Sequence, residues 1–407
     1  MSSRKTRNDA ITESGNTHRP STRLVHLGRD TAAQRGFVNP PVYRGSTVLF
    51  DSMDDLLNDR AEFTYGLLGS PTLDALQTAW TELTGAAGTI LAPSGLMAIT
   101  TALLAVLDAG DHLLVTDSVY GPTRSFCDKM LRRFGIETTY YDPLVGADIT
   151  ELMRPNTRAV FLESPGSLTF EIQDVPAIAE AAHARGAAVI MDNTWATPLL
   201  FDAHRHGADI VIEAGTKYLG GASDLLFGLT SANAEYWPAL RAAHVGLGST
   251  VGPEDVFLCL RGLRTLNLRL RESERQALDM ARWLERRPEV SRVLHPALEQ
   301  HPGHELWRRD FAGSSGLFSV VLQPAPQSAV AAMLDGLELF GMGYSWGGFE
   351  SLVTPFDPSG IRTASTWQAE GPALRFYIGL ENVLDLKDDL TRGFGRLREK
   401  AASHHAP

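Results

Sequence analysis

From about residue 88 the chain alternates short, thoroughly apolar runs with longer helical patterns, and this alternation limits its possible folds more than any other feature. "TILAPS" leads into "GLMAITTALLAVLDAG", then "HLLVTD" follows. "RAVFLES", "AAVIMDN", "ADIVIEA" and "LFGLTSA" come later, with helical stretches such as "VPAIAEAAHARG" between several of them. Strands that are apolar on both faces must be covered on both faces, so the pattern predicts an α/β fold with a mostly parallel sheet. Several runs end in a polar or small residue: Ser94, Asp117, Glu163, Asp192 and Glu213. Ligands of open α/β sheets collect outside the carboxyl ends of the strands, so chemistry is expected there.

Past about residue 250 the pattern changes. Residues 254–287 read as one long Arg-studded helix. Strand patterns follow at "VSRVLHP", "SGLFSVVLQ" and "LRFYIGL", with a helix near 328–340 and a final amphipathic helix from Leu384. The expected division is a flexible tail over 1–20, an arm over 21–70, a large domain over 71–252, and over 253–407 a connecting helix with a smaller C-terminal α+β domain. A chain of 407 residues is long enough for both domains.

The formal net charge of -11 argues against nucleic acid or an anionic membrane as partner, since both are negative themselves. No apolar run reaches the length of a membrane helix, and the polar first twenty residues lack the apolar stretch of a secretory signal. Two cysteines, Cys127 and Cys259, make no disulfide framework and lie in no metal-ligand cluster. The sequence therefore predicts a cytoplasmic protein without a metal site.

Lysine is scarce: of 37 basic residues five are lysines, Lys5, Lys129, Lys217, Lys387 and Lys400. Only Lys217, in "IEAGTKYLGG", follows an apolar strand and precedes glycines. A lysine that forms a Schiff base needs a pocket where burial lowers its pKa, and Lys217 is the candidate. The plain alternative is a strand-end lysine reaching into solvent. Asp192, at the end of "AAVIMD", is either a helix cap or the acid that keeps a pyridine cofactor's ring nitrogen protonated. Ser94-Gly95, entering a long helix, is either an ordinary cap or a phosphate seat, and Thr216 offers that phosphate a hydroxyl. Tyr120 can lay its ring on an aromatic cofactor or lie at the surface. Arg375, flanked by apolar strand residues, suits either a substrate carboxylate or a structural ion pair. A dinucleotide-binding dehydrogenase is set aside, because no G-x-G-x-x-G opens a helix after a strand with an acid some twenty residues on.

With these residues in view, "MDNTWATPLLFDAHRHGADIVIEAGTKYLGG" resembles the core of the Cys/Met-metabolism enzymes that depend on pyridoxal 5′-phosphate (PLP). "FLESPGSLTFEIQDVPAI", "HPGHELWRRDFAGSSGLFSVVL" and "YSWGGFESL" resemble the proteobacterial cystathionine β-lyase branch of that family. The likeness runs from about Leu24 to the C-terminal helix. It implies the aspartate-aminotransferase-like fold (PLP fold type I), with Lys217 binding PLP covalently, Asp192 on the pyridine nitrogen and Tyr120 stacked on the ring. Gly95, Leu96 and Thr216 would hold the phosphate, with Tyr65 borrowed from a neighbouring subunit through the arm. Arg375, Ser345, Tyr344 and the backbone near Trp346 would hold the substrate amino acid. The resemblance also implies a homotetramer, a dimer of dimers with shared active sites. One departure stands out: relatives carry Tyr-x-Arg where this chain reads Tyr65-Gly66-Leu67-Leu68. The expected activity is a carbon–sulfur β-lyase acting on cystathionine or a less polar cysteine thioether. The alternatives are γ-elimination or γ-replacement on homoserine derivatives and a catalytically silent PLP-fold protein.

Overall fold

The structure is a computed structural model that describes residues 18–404, so most of the expected tail lies outside the described residues. A seven-stranded sheet forms the larger part, in the order β1-β7-β6-β5-β4-β2-β3. Its strands are β1 (Gly88–Ala92), β2 (His112–Thr116), β3 (Glu137–Tyr141), β4 (Thr157–Glu163), β5 (Ala188–Asp192), β6 (Ile210–Glu213) and β7 (Gly228–Ala232). β2 to β6 pair in parallel, whereas β7 runs against both its neighbours, β1 and β6. Side-chain alternation splits the sheet's contacts into two cores. Ile90, Val115, Phe161, Ile190 and Ile212 face the helix Gly95–Val106, and Leu91, Leu114, Leu162, Met191 and Val211 face the other way. This two-sided covering is what the continuous apolar runs predict.

A second sheet of four antiparallel strands, ordered β10-β11-β9-β8, forms the smaller part. It comprises β8 (Val290–Leu294), β9 (Leu317–Leu322), β10 (Leu352–Phe356) and β11 (Ala373–Tyr377), with the helices Gln327–Leu334 and Val383–His404 packed against it. The 32-residue helix Pro253–Leu284 belongs to both parts: Leu260, Leu263 and Leu266 enter one core, and Ala277, Met280 and Leu284 enter the other.

That helix also braces the turn carrying Lys217. The Arg269 guanidinium donates to the carbonyls of Tyr218 (2.6 Å), Leu219 (3.3 Å) and Gly262 (2.9 Å). Gly262 permits the approach, because a Cβ there would lie 2.0 Å from the Leu219 carbonyl oxygen.

Candidate active site

Lys217 follows β6 by four residues and its turn closes through Lys217 N–H donating to Ala214 O (3.0 Å) and Gly221 N–H to Lys217 O (2.9 Å). Its Nζ donates to Ser345 Oγ at 2.7 Å and lies 5.1 Å from the Trp346 ring centroid. Burial is the main cause that lowers its pKa from 10.5 to about 8; the Arg375 charge lowers it further, and Asp192 opposes both. Ser345 and Gly347 both have left-handed backbone, φ +76° and +89°. A Cβ on Gly347 would sit 2.9 Å from Lys217 Cα, so the 343–348 loop lies directly against the lysine backbone.

Arg375 stands on β11 of the small sheet. Its Nη2 donates to the carbonyls of Ser345 (3.1 Å) and Gly343 (3.5 Å), while its buried Nε has no partner. Among the described residues no carboxylate forms an ion pair with it, so this half-buried cation is short of an anion. Tyr344, beside Ser345, is 94 % exposed.

On the large-sheet side, Asp192 ends β5 in register with Glu163 of β4. Asp192 Oδ1 accepts from Thr194 N (3.0 Å) and Thr194 Oγ1 (2.5 Å), and among the described residues no hydrogen bond falls on Oδ2. Desolvation raises its pKa, against the lowering effect of Thr194 and Lys217. Tyr120, just after β2, donates its N–H to Glu163 Oε2 (2.7 Å). Burial pushes its phenol up, Asp192 and Glu163 push the same way, and Arg375 pulls it down. Lys217 and Tyr120 thus both lie within electrostatic reach of Asp192 and Arg375, so the large-sheet and small-sheet groups are near one another.

Ser94 caps the helix Gly95–Val106 by accepting from Met97 N (3.1 Å), which leaves the Gly95 and Leu96 N–H groups without intrahelical partners. A Cβ on Gly95 would sit 2.8 Å from Ala214 Cβ, so glycine lets this helix start approach the lysine turn. Thr216 differs from expectation. Its hydroxyl donates to Phe227 O (3.1 Å) and accepts from Phe227 N (2.8 Å), so its donor is spent on closing the loop, and a phosphate contact needs that bond exchanged. Tyr65 is half exposed, in an isolated bridge with Thr47, and makes no hydrogen bond to Lys217, Asp192 or Arg375. Leu67 is partly buried and Leu68 is exposed.

PLP can be tested against these groups. It needs a low-pKa amine, a carboxylate oxygen for its ring nitrogen, and free N–H groups for its phosphate. Lys217, Asp192 Oδ2 and the Gly95–Leu96 helix start supply all three, so the donor set fits. Sequence reasoning listed Glu163 and Asp117 only as strand-end acids; their partners, Tyr120 N–H and residues 363–365, lie far away in the chain and leave no local signal. Among the described residues no group of three or more His, Cys, Asp or Glu could hold a metal ion. None of the helices described is long and apolar enough to cross a membrane.

The family model for the Cys/Met metabolism PLP-dependent enzymes matches residues 21–395. A Saccharomyces cerevisiae protein provisionally named cystathionine beta-lyase is 56% identical over 329 residues, which span 81% of this chain and 96% of that protein. The cystathionine beta-lyase MetC of Escherichia coli is 44% identical over 387 residues, 92% of this chain and 98% of that one. Among solved structures, cystathionine gamma synthase from Xanthomonas oryzae pv. oryzae, in complex with aminoacrylate and cysteine, superposes with a TM-score of 0.87. It is 32% identical and covers 94% of this chain and all of that one (100%).

Proposed function

The chain belongs to the Cys/Met-metabolism family of PLP-dependent enzymes, and from that premise we propose a carbon–sulfur β-lyase that converts an L-cysteine thioether and water into a thiol, pyruvate and ammonia. The observation that carries the reading is Lys217: a desolvated amine with a pKa of about 8, hydrogen-bonded to Ser345 and within the fields of Arg375 and Asp192.

PLP, when bound, supplies an electrophilic aldehyde and an electron sink. The protein's residues do the rest. Arg375 takes the substrate α-carboxylate, which gives its unpartnered Nε an anion, with Ser345, Tyr344 and the Trp346 backbone beside it. Asp192 would hold the ring nitrogen in its protonated form, and Tyr120 would cover the ring. Burial and the nearby Arg375 charge, which lower its pKa to about 8, favour the free-base form of Lys217, which would take the Cα proton and then deliver it to the leaving sulfur. Gly95 and Leu96 would offer backbone N–H groups to the phosphate, with Thr216 as a further donor if its bond to Phe227 is exchanged and Tyr65 supplied by a neighbouring copy.

Leu67 and Leu68 near Tyr65 favour a thioether whose S-substituent is less polar than that of cystathionine. A second copy is supported by the arm, where Phe37 (74 %), Leu49 (86 %) and Met53 (74 %) are exposed. A homotetramer with shared sites would cover them. The free, buried Cys127 and Cys259 suit a reducing, cytoplasmic setting.

Incubation with a panel of cysteine and homocysteine thioethers tests the reading. Pyruvate is expected, with faster release from S-alkyl or S-aryl cysteines than from cystathionine. A second reading, γ-elimination or γ-replacement, draws on the γ-synthase fold match, and predominant 2-oxobutyrate would favour it. Lys217→Ala is expected to keep its fold yet lose the bound-cofactor absorbance and at least about 10³-fold in turnover; near-wild-type turnover would sink the mechanism.

A further inference from the structure

Residues 357–372 connect β10 to β11, the strand that carries Arg375, and most of them are exposed. This strap is nevertheless held firmly at one place. Asp117, 1 % exposed and immediately after β2, accepts the N–H groups of Thr363 (3.0 Å), Ala364 (3.0 Å) and Ser365 (2.8 Å). It also accepts the hydroxyls of Thr363 (3.3 Å) and Ser365 (2.8 Å), and it pairs with the buried Arg124. Beside this clamp, the Arg362 side chain is 5% exposed and bonds Thr169, Glu171 (3.3 Å) and Ser365 Oγ (3.1 Å). Thr169 sits between Leu168 and Phe170, both non-glycine residues with left-handed backbone (φ +69° and +60°). Strain of that kind persists only where surrounding contacts over-determine it.

A surface strap has no need of a buried carboxylate with five donors and a counter-ion. Its two anchors are informative. Asp117 lies three residues before Tyr120, and the strap runs directly into the strand bearing Arg375. The clamp therefore joins the segment that leads to Tyr120 to the segment that leads to Arg375. We propose that Asp117 is a positioning residue: by gripping 363–365 it holds Arg375 at the distance from Tyr120 at which a substrate carboxylate is recognised. This rests on the reading above that Arg375 takes that carboxylate.

The test uses the PLP-loaded enzyme and two ligands without a β-leaving group, L-alanine and L-alaninamide, which differ in the carboxylate. Binding is followed by the change in cofactor absorbance. D117N is one variant. D117N/R124Q is the other, because it removes the counter-ion together with the acid and so leaves no unpaired buried charge if D117N alone fails to fold. Both are expected to bind L-alanine about ten-fold more weakly, the effect of losing more than one hydrogen bond, with L-alaninamide affinity within about two-fold of wild type. A folded variant that keeps the wild-type preference for L-alanine, or that loses both ligands equally, overturns the proposal. R375A is the control for the underlying reading. If R375A keeps the carboxylate preference, that reading fails, whatever the Asp117 variants do.

Discussion

At the scale of single residues, two titrations follow from burial. In the apoenzyme the Lys217 amine is expected to titrate near 8, well below an ordinary lysine. Arg375→Leu removes a like charge and should raise that value, whereas Asp192→Asn removes an opposite charge and should lower it further. The pH dependence of PLP capture by the apoprotein measures both, and shifts in the same direction would contradict the arrangement described. Glu213, ending β6, is 1% exposed, and neither carboxylate oxygen has a partner. Burial holds its pKa well above 4.5, so the folded state keeps a proton that the unfolded state releases, and stability falls as pH rises above 4.5. Glu213→Gln keeps the shape without the acid. It should be more stable than wild type, by a margin that widens between pH 5 and 8 in denaturant titrations. Lys217, Asp192, Tyr120 and Arg375 could be singled out as candidates because each is a polar or aromatic residue within an apolar strand, at its end or shortly after it. Glu213 was visible there as well, but nothing in its neighbours along the chain says that it lacks a partner.

At the scale of elements, the strands of the large sheet were readable where they are buried on both faces. β3, "ETTYY", is an edge strand with one exposed and three partly buried residues, and it does not stand out as apolar. β10 carries Pro355 and gives no clean strand pattern either. The reversed direction of β7 was invisible, because direction is set by the connection and not by the strand's own composition. The long helix was legible from its periodicity, but its bracing of the lysine turn was not. That bracing is testable. Gly262→Ala would place a methyl group against the Leu219 carbonyl and push helix and turn apart. A cost of about 1–3 kcal/mol in unfolding free energy is expected, together with weaker retention of PLP on gel filtration. Unchanged stability and cofactor content would show that the helix can move away freely.

At the scale of the whole molecule, Phe37, Leu49 and Met53 of the arm are exposed in the single chain, and the second copy proposed above is expected to cover them. Phe37→Asp combined with Leu49→Asp should lower the particle mass in light scattering and reduce turnover, with little change in the circular dichroism of the fold. An unchanged mass would remove the arm from the subunit contact. The reversed β7 strand has a consequence for engineering. Since β6 and β7 lie side by side in opposite senses, residues 214–227 are a return leg tied to the sheet at both ends and pinched at its base by the Thr216–Phe227 bonds. Foreign peptide spliced into that leg would detune the reactive amine before it cost any solubility.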